Sequence, residues 1–362
     1  MREFYAIIDL HHEESMLSNR PASHHEIFGR RIIDHMLKAL AQAAPKGIIV
    51  LVEEASFCHY LEDTAVPVVC RGRDRTSVHE IMQEYDDDDA AFLILPGAVM
   101  FDVVDIMTAL REAAQSGMKM INIADFEGTG NVFVIKNRVG LARAAKIVQE
   151  RTNHGHMLGG VTIIDPQSTY IGPDVKIGMD TEVFPGVIII GDTTIGKNCV
   201  IGQGSRLVDM KVGNNVEIWD STCLQSEVGD GTAVGPYAYL RPGTVIGKNC
   251  KAGAFVEVKN ATIGDGSKAS HLSYVGDATI GKDVNIGCGV ITVNYDGKNK
   301  SRTIVEDNAF VGSNANLIAP VTVGEGAYVA AGSTINKNVP PCDLAIAREK
   351  QTNIEGWAKK RR

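Results

Sequence analysis

Cationic side chains recur at the length of one solenoid coil in the second half of this 362-residue chain. Arg241 and Lys259 are eighteen residues apart, and a solenoid stacks residues at that spacing on one face. A residue near position 277 would continue the column. Cationic side chains with several hydrogen-bond donors are suited to a phosphate. The spacing predicts a basic ladder that binds a phosphate, whereas a solvated charge is the better interpretation for any one residue alone.

A single histidine lies within this polar stretch. His271 is the only histidine between residues 157 and 362. Tyr274 and Asn285 lie near it in the sequence, and an imidazole titrates close to neutrality, which suits proton removal from a substrate. We predict that His271 is a general base. Taken alone, it could equally be a structural polar residue.

A six-residue repeat predicts the elements that position these side chains. Aliphatic–glycine pairs six residues apart include Ile171-Gly172 with Ile177-Gly178 and Ile195-Gly196 with Ile201-Gly202. Of the 37 glycines, 28 lie from residue 156 onward, so the composition changes where the repeat begins. The pattern predicts a hexapeptide parallel β-helix, in which three short strands form one coil. The segment from Asn294 to Lys300 breaks the repeat and is expected to be an inserted loop.

The first 135 residues carry a different pattern. Apolar runs alternate with stretches of helical periodicity, which is typical of a small parallel α/β sheet. Ser23 followed by Glu26 is a capping-box signature and predicts the start of a helix. The apolar face expected for that helix consists of Ile27, Phe28, Ile32, Met36 and Leu40. The other expected helices are Val78–Tyr85, Val103–Ala114 and Asn137–Asn153. The expected strands are Phe4–Leu10, Gly47–Val52, Val66–Cys70, Ala91–Pro96, Ile121–Ile123 and Val132–Ile135.

Four segments are expected from these patterns. An α/β domain would span residues 1–136 and a linker helix residues 137–158. The β-helix would span residues 159–340, with a C-terminal tail over residues 341–362.

Composition excludes several classes of protein. A net charge of −8 argues against a nucleic-acid partner. No apolar run approaches eighteen residues, and the N-terminus lacks the apolar stretch of a signal peptide, so we expect a cytoplasmic protein without membrane insertion. Seven cysteines without a C-x-x-C spacing suit a reducing compartment, where each would be a small buried hydrophobe. The acidic run Asp86–Asp89 is interpreted as a solvated loop, and the pairs His11-His12 and His24-His25 lack a third metal ligand.

The second half resembles a known family at these residues. From Arg241 through Trp357 the chain is similar to the acetyltransferase half of the bifunctional N-acetylglucosamine-1-phosphate uridylyltransferase/glucosamine-1-phosphate acetyltransferase family. The likeness extends to the terminal motifs Leu344-Ala345-Ile346-Ala347-Arg348, Gln351-Thr352 and Glu355-Gly356-Trp357. The segment Asn137–Pro166, with Met157-Leu158-Gly159-Gly160-Val161, resembles the interdomain linker of that family. The resemblance implies that the β-helix is left-handed and that the protein contributes to UDP-N-acetylglucosamine synthesis.

The resemblance also implies roles for individual residues. His271 would take a proton from the substrate amine as the amine attacks the acetyl thioester. The residues implied to hold glucosamine 1-phosphate are Arg241, Lys259, Tyr274, Asn285 and Lys300. Those implied to contact acetyl-CoA are Cys288, Asn294, Tyr295, Ser313, Ala331 and Arg348. Solenoid acyltransferases of this type work as trimers with sites between subunits, so a homotrimer is implied.

Cys288 stands where the family typically has alanine. Its backbone can still contact acetyl-CoA, although the larger side chain could alter the affinity. A nucleophilic Cys288 that forms an acetyl-enzyme is the less favoured alternative, because direct transfer explains the site without it.

The N-terminal half departs from the family at its chemical positions. The segment Gly29-Arg30-Arg31-Ile32-Ile33-Asp34-His35 resembles a helix of the uridylyltransferase domain. Aligned on that helix, the glycine-rich phosphate loop of the family corresponds to Ile8–Met16. Its two glycines are replaced by His11 and Glu13, its arginine by Ser15, and the lysine that follows by Ala22. The metal-binding Gly-Asp is replaced by Gly97-Ala98. A loop that cradles a triphosphate needs close backbone approach and positive charge.

We therefore interpret the first domain as a truncated, degenerate nucleotidyltransferase in which Mg²⁺ binding is not expected. Arg71, Arg73 and Arg75 could still bind an anion, but an exposed basic loop is the favoured interpretation. The leading hypothesis is an N-acetyltransferase for glucosamine 1-phosphate. The alternatives are an enzyme that retains both activities, an acetyltransferase of another amino sugar, and a non-enzymatic regulatory homologue.

Overall fold

The computed structural model describes residues 3–11, 16, 20–53, 66–72, 77–85, 90–126 and 131–361. The chain divides into two compact units, residues 1–151 and residues 152–362. Several residues discussed above lie outside the described ranges, namely His12, Glu13, Glu14, Ser15, Arg73, Arg75 and Asp86–Asp89. No helix among the described residues is both long enough and apolar enough to cross a membrane.

The first unit contains a five-stranded sheet with helices between the strands. Its strand order is β5-β4-β1-β6-β8, and every neighbouring pair is parallel. The strands of the described part are β1 Phe4–Asp9, β2 Glu26–Ile27, β3 Arg30–Arg31, β4 Gly47–Val52, β5 Val68–Gly72, β6 Ala91–Pro96, β7 Val99–Met100, β8 Met120–Asn122 and β9 Phe133–Val134. The helices are α1 Ile32–Gln42, α2 Val78–Glu84, α3 Val103–Ser116 and α4 Arg138–Leu158, and residues 152–158 of α4 belong to the second unit. The predicted parallel α/β sheet is confirmed.

Both faces of this sheet are covered, because alternate side chains of a strand point to opposite sides. On β1, Ala6 and Ile8 pack into the larger core cluster, which contains buried residues of α1 and α3. Ile7 packs into a separate cluster with Ile81 of α2. A central strand buried on both faces must be apolar throughout, and this accounts for the continuous run in β4.

The predicted start of the first helix is wrong. Ser23 lies in a 3₁₀ turn, Ala22–His24, and Ile27 belongs to a short hairpin of β2 and β3, so α1 begins only at Ile32. Arg31 precedes α1 without a side-chain cap. Capping boxes open α2, at Ser77 with Glu80, and α3, at Asp102 with Asp105. Ser23 and Glu26 therefore form no capping box, and the two boxes present were not predicted.

The second unit is a left-handed parallel β-helix with three flat faces, as predicted. In residues 152–361 we name the three parallel sheets the first, second and third face. The strands of the first face are Thr162–Ile163, Glu182–Val183, Val200–Ile201, Glu217–Ile218, Ala233–Val234, Lys251–Ala254, Lys268–His271, Asn285–Ile286, Phe310–Val311, Tyr328–Val329 and Leu344–Ala345.

The other two faces follow the first in each coil. The strands of the second face are Tyr170–Ile171, Ile188–Ile190, Arg206–Val208, Thr222–Leu224, Tyr239–Leu240, Glu257–Lys259, Tyr274–Gly276, Ile291–Val293, Asn316–Ile318 and Thr334–Ile335. The strands of the third face are Lys176–Ile177, Thr194–Ile195, Lys211–Val212, Glu227–Val228, Val245–Ile246, Thr262–Ile263, Ala278–Ile280, Thr303–Val305 and Val321–Val323.

Hydrogen bonds at the buried corners tie each coil to the next. Thr181 Oγ1 donates to the Gly196 carbonyl oxygen at 2.9 Å and accepts the Cys199 N–H at 3.1 Å. Cys199 then donates its thiol to the Gly213 carbonyl oxygen at 3.1 Å. A cysteine can therefore replace a hydroxyl in this ladder, because its thiol is a weak donor.

The cysteines do not share the one environment that the composition suggested. Cys199, Cys223 and Cys250 are buried, as expected, but Cys288 is only partly buried and Cys342 is exposed. Cys70 is disulfide-bonded, which contradicts the expectation of a reduced, buried thiol at every position.

Candidate functional site

Arg241 and Lys259 occupy adjacent outward positions on the second face. The Arg241 N–H donates to the Val258 carbonyl oxygen at 2.9 Å, so Arg241 lies beside Lys259 in the ladder. Gly276 is paired with Lys259 in the next coil. The described ladder therefore contains two cations at these positions, and the third basic position expected near residue 277 is wrong.

Each cation is held by a carboxylate. Arg241 Nη1 donates to Glu257 Oε1 at 2.9 Å, and the Arg241 guanidinium also lies 5.8 Å from the centre of the Tyr239 ring. Lys259 Nζ donates to Asp277 Oδ2 at 3.1 Å. The Arg241 pair is half-exposed, whereas the Asp277 side chain is only 10% exposed. Both cations are therefore oriented before any ligand binds.

Tyr274 lies against the same two cations. Its ring covers Gly276, because a Cβ added at Gly276 would be 2.5 Å from Tyr274 Cζ. The phenol group lies within electrostatic range of both Lys259 and Arg241. The second face thus presents two cations and a phenol side by side, a combination that suits a phosphate.

Asp277 is the residue that most clearly escaped sequence reasoning. It follows the strand Tyr274–Gly276 at the corner between the second and third faces. Its carboxylate accepts hydrogen bonds from Lys259, from Asn260 Nδ2 at 2.7 Å, and from Asn294 Nδ2. Burial acts to raise the pKa of Asp277, but the bonds from Asn260, Lys259 and Asn294 outweigh it and lower that pKa. Asp277 is therefore a buried anion with three donors.

His271 ends an unusually long strand. Lys268–His271 and its neighbour Lys251–Ala254 have four residues each, whereas the other strands of the first face have two. His271 is paired with Ala254 and is exposed. Ser273 Oγ donates to the His271 carbonyl oxygen at 2.9 Å, which fixes the backbone immediately before the second face. The imidazole is thus presented at the corner between the first and second faces.

Residues expected to contact acetyl-CoA follow His271 along this corner. The Asn314 N–H donates to the Cys288 carbonyl oxygen at 2.7 Å, and the Gly332 N–H donates to the Ser313 carbonyl oxygen at 2.9 Å. Cys288, Ser313 and Ala331 therefore lie on one corner of successive coils, and we call these three residues the corner column. A Cβ at Gly332 would be 3.8 Å from Arg348 Cδ, so Arg348 also reaches this corner.

Other predicted contacts lie elsewhere in the same chain. Asn285 is on the first face, paired with Lys268 and Phe310. Cys288 precedes the second-face strand Ile291–Val293, and Asn294 follows it. The inserted loop therefore begins at the corner between the second and third faces, whereas the corner column lies between the first and second faces. In that loop Tyr295 pairs with Lys300, and Tyr295 Oη donates to the Gly297 carbonyl oxygen at 2.6 Å. One chain therefore does not bring Asn294 and Tyr295 together with the other residues implied for acetyl-CoA.

Comparisons with known proteins agree with this architecture. The family model described as bacterial transferase hexapeptide (six repeats) matches residues 168–208 and 302–337. The bifunctional protein GlmU of Clostridioides difficile is 57% identical over 227 residues, covering 63% of this chain and 50% of that protein. The bifunctional protein GlmU of Exiguobacterium sp. is 46% identical over 312 residues, covering 81% of this chain and 69% of that protein. This chain belongs to the GlmU family.

The share of the GlmU protein that is matched differs from one relative to the next. The chain spans about half the length of the curated relatives that it matches, as the values of 50% for C. difficile and 55% for Alkaliphilus metalliredigens indicate. The A. metalliredigens protein is 51% identical over 255 residues, which is 70% of this chain. The Exiguobacterium match is longer than the second unit, so it extends into the first.

In the first unit, Asp9, His11 and Gly97, which belong to the segments expected to correspond to a nucleotide site, lie at the sheet's switch point. The strand order reverses between β1 and β6, and the Gly97 N–H donates to the Asp9 carbonyl oxygen at 2.7 Å where these strands end. Ala98 and Ala22 are each 1% exposed and belong to the core. His11 Nδ1 lies 3.2 Å from Asp9 Oδ1. The methyl group of Ala98 has no atom that could bind a metal ion. The described residues contain no cluster of three or more potential metal ligands.

Proposed function

We propose that this protein is an N-acetyltransferase that transfers the acetyl group of acetyl-CoA to glucosamine 1-phosphate. One observation carries the proposal. His271 ends the four-residue strand Lys268–His271, and the next strand along the chain contains Tyr274 of the phosphate-binding face. The corner column lies at the same corner as His271, in the coils that follow. Membership of the GlmU family supports the substrate assignment.

The chemistry requires the groups that this region supplies. A sugar amine is mostly protonated near neutral pH, so a base must remove a proton before or during attack on the thioester. His271 is exposed and can serve as that base. The tetrahedral intermediate needs an oxyanion donor, and backbone N–H groups held by a rigid coil are suited to that role. Arg241, Lys259 and Tyr274 would hold the phosphate, with Asn285 and Lys300 as further contacts.

The active assembly that we propose is a homotrimer. The inserted loop, which carries Asn294, Tyr295 and Lys300, begins at the corner opposite the corner column. In a trimer, the loop of one subunit would complete the acetyl-CoA site of its neighbour. The separation of these residues within one chain supports this arrangement.

We also propose that the first unit does not transfer nucleotides. The family's metal position is occupied by Ala98 and its lysine position by Ala22, and both methyl groups are buried. Neither residue can offset the charge of a triphosphate. The second candidate is an enzyme that retains both activities, and the name shared by the relatives, bifunctional protein GlmU, favours it equally.

Two assays on one preparation separate these functions. The release of CoA thiol from acetyl-CoA, with and without glucosamine 1-phosphate, tests acetyl transfer. The release of pyrophosphate from UTP and N-acetylglucosamine 1-phosphate with Mg²⁺ tests nucleotidyl transfer. We expect sugar-dependent thiol and no UTP-dependent pyrophosphate. Pyrophosphate at a rate comparable to acetyl transfer would establish the bifunctional enzyme instead.

A further inference from the structure

We propose that Asp277 is a positioning residue that couples the sugar-phosphate subsite to the inserted loop. This role rests on the proposed function, in which Lys259 binds phosphate and Asn294 lies at the start of a loop that contacts acetyl-CoA. Asp277 itself would touch neither substrate. It would act through the two side chains that it holds.

The contacts of Asp277 span three successive coils. Lys259 and Asn260 lie in the coil before it, and Asn294 lies in the coil after it. Its own N–H donates to the Lys259 carbonyl oxygen at 2.9 Å. Its backbone carbonyl oxygen accepts the N–H of Thr303 at 3.2 Å. Because Asn294 begins the inserted loop and Thr303 follows it, Asp277 is bonded at both ends of that loop.

Asp277 has the backbone conformation that is usual at this corner of the β-helix. Its φ is +47°, and Asp209 and Asn260 have a positive φ at the same corner of earlier coils. That backbone turns the carboxylate toward Lys259 and Asn294, where the side chain is 10% exposed. A buried carboxylate needs partners, and here three donors satisfy it. An aspartate that served only to turn the corner would not need a cation from the phosphate subsite.

Asp277 also sets the electrostatics around Lys259. Arg241 lies beside Lys259 on the neighbouring strand and Glu257 on the same strand, while Tyr274, Asp277 and Lys300 approach it from later coils. Cations near one another disfavour the charged form of each. The hydrogen bond to Asp277 is the main reason that the pKa of Lys259 is raised. Asp277 thus keeps a flexible ammonium group both charged and in one place before phosphate binds.

The test replaces the charge and keeps the shape. Asp277→Asn should raise the KM for glucosamine 1-phosphate by about 10- to 100-fold, the loss expected for a hydrogen bond to a charged group, and should change kcat much less. As the pH is raised, the KM of the variant should begin to increase at a lower pH than the KM of the wild-type enzyme. Without the anion at position 277, Lys259 loses its proton at a lower pH. Asp283→Asn is the matched control, since Asp283 also has a positive φ, in the same coil, but is exposed at another corner.

A double-mutant cycle separates positioning from a general loss of structure. If Asp277 acts through Lys259, Asp277→Asn should add little to the KM of a Lys259→Met enzyme. Amide hydrogen exchange of residues 294–302 should be faster in Asp277→Asn than in Asp283→Asn, which reports the loop without any substrate. The positioning role of Asp277 would be overturned by additive effects of the two substitutions on KM, or by an Asp277→Asn enzyme with a normal KM and pH profile. Neither result would affect the proposed function if the wild-type enzyme acetylates glucosamine 1-phosphate. A wild-type protein that does not acetylate glucosamine 1-phosphate would overturn the proposed function and this role together.

Discussion

The ring of Tyr274 occupies the space that a side chain at Gly276 would need. Both residues point outward from one second-face strand, and Tyr274 Cζ lies 2.5 Å from the position of a Cβ at Gly276. Gly276 does not have a positive φ, so its backbone conformation is open to alanine. Position 276 therefore needs glycine because the Tyr274 ring fills the space of a side chain, and the backbone conformation at this position does not require glycine.

Gly276→Ala should move Tyr274 away from Lys259 and Arg241. We expect the KM for glucosamine 1-phosphate to rise by about tenfold if Tyr274 contributes a hydrogen bond to the charged phosphate. Overpacking should also lower the free energy of unfolding by about 1–3 kcal/mol. Steady-state kinetics and urea denaturation measure the two effects.

Gly155→Ala provides the opposite control. Gly155 lies in α4 with nothing within 4 Å of an added Cβ, so alanine there should stabilise the protein by about 0.5–1 kcal/mol. An unchanged KM in Gly276→Ala, with the expected stability loss, would remove Tyr274 from phosphate binding.

His271→Ala should lower the rate of acetyl transfer by about 10²- to 10⁴-fold, the usual contribution of a general base. His154→Ala, an exposed substitution in α4, should leave the rate unchanged. Thiol release from acetyl-CoA measures both variants. A His271→Ala enzyme with near-normal turnover would exclude His271 from the mechanism.

Cys288→Ala should retain acetyl transfer to within about threefold, because direct attack by the amine needs no enzyme nucleophile. Iodoacetamide should modify the partly buried Cys288 and the exposed Cys342. It should spare Cys223, because burial raises the pKa of that thiol to about 12. A rate loss above about a hundredfold in Cys288→Ala, with an acetylated Cys288 peptide in the wild-type protein, would establish a covalent intermediate.

Much of the fold could be predicted because its sequence signals are local. The six-residue repeat fixed which residues face inward, since Ile and Val positions alternate with outward ones along each short strand. The strands Gly47–Val52 and Ala91–Pro96 begin and end as predicted, because each is a short apolar run between turn signals. Ser23 misled the prediction because the hairpin at Ile27 intervenes before α1, and a capping signature contains no information about that pairing.

The site was less predictable because it depends on register between coils. Arg241 and Lys259 are eighteen residues apart, but Lys259 is paired with Gly276, which is seventeen residues further along. Because this coil is one residue shorter, Gly276 lies where a third cation was expected. Asp277, the next residue, lies at the corner and bonds to Lys259. Asp277 and Glu257 carried no sequence signal of their own, because a carboxylate that holds a cation looks like any surface charge until the pairing is known.

A homotrimer should be the active species. Light scattering should give three times the chain mass, and activity should fall as dilution separates the subunits. We expect His271→Ala and Asn294→Ala each to lower the activity when present alone. Mixing the two proteins should restore part of the activity, because some sites would then combine a normal His271 with a normal loop from a neighbour. A monomer with full activity would contradict the shared site.

The stability contributed by Asp277 should depend on pH. Its pKa is lowered in the folded protein, so the contribution is present above the pKa of the unfolded chain and is lost as the pH falls through the folded value. The difference in unfolding free energy between wild-type protein and Asp277→Asn should therefore shrink on acidification below about pH 4. Urea titrations at several pH values measure it. A difference that stays constant down to the acid transition would show that Asp277 is not a charged group in the folded state.

The coils formed by residues 162 to 219 carry none of the candidate site residues. Each coil bonds only to the coils on either side of it, so a change in this stretch can influence His271 only by passing through every coil between them. Inserting or removing one complete coil there would change the length of the β-helix by about 4.8 Å and leave the contacts around Lys259 and Asp277 as they are. This part of the solenoid is a spacer, and its length can be changed by design while the contacts around Lys259 and Asp277 stay constant.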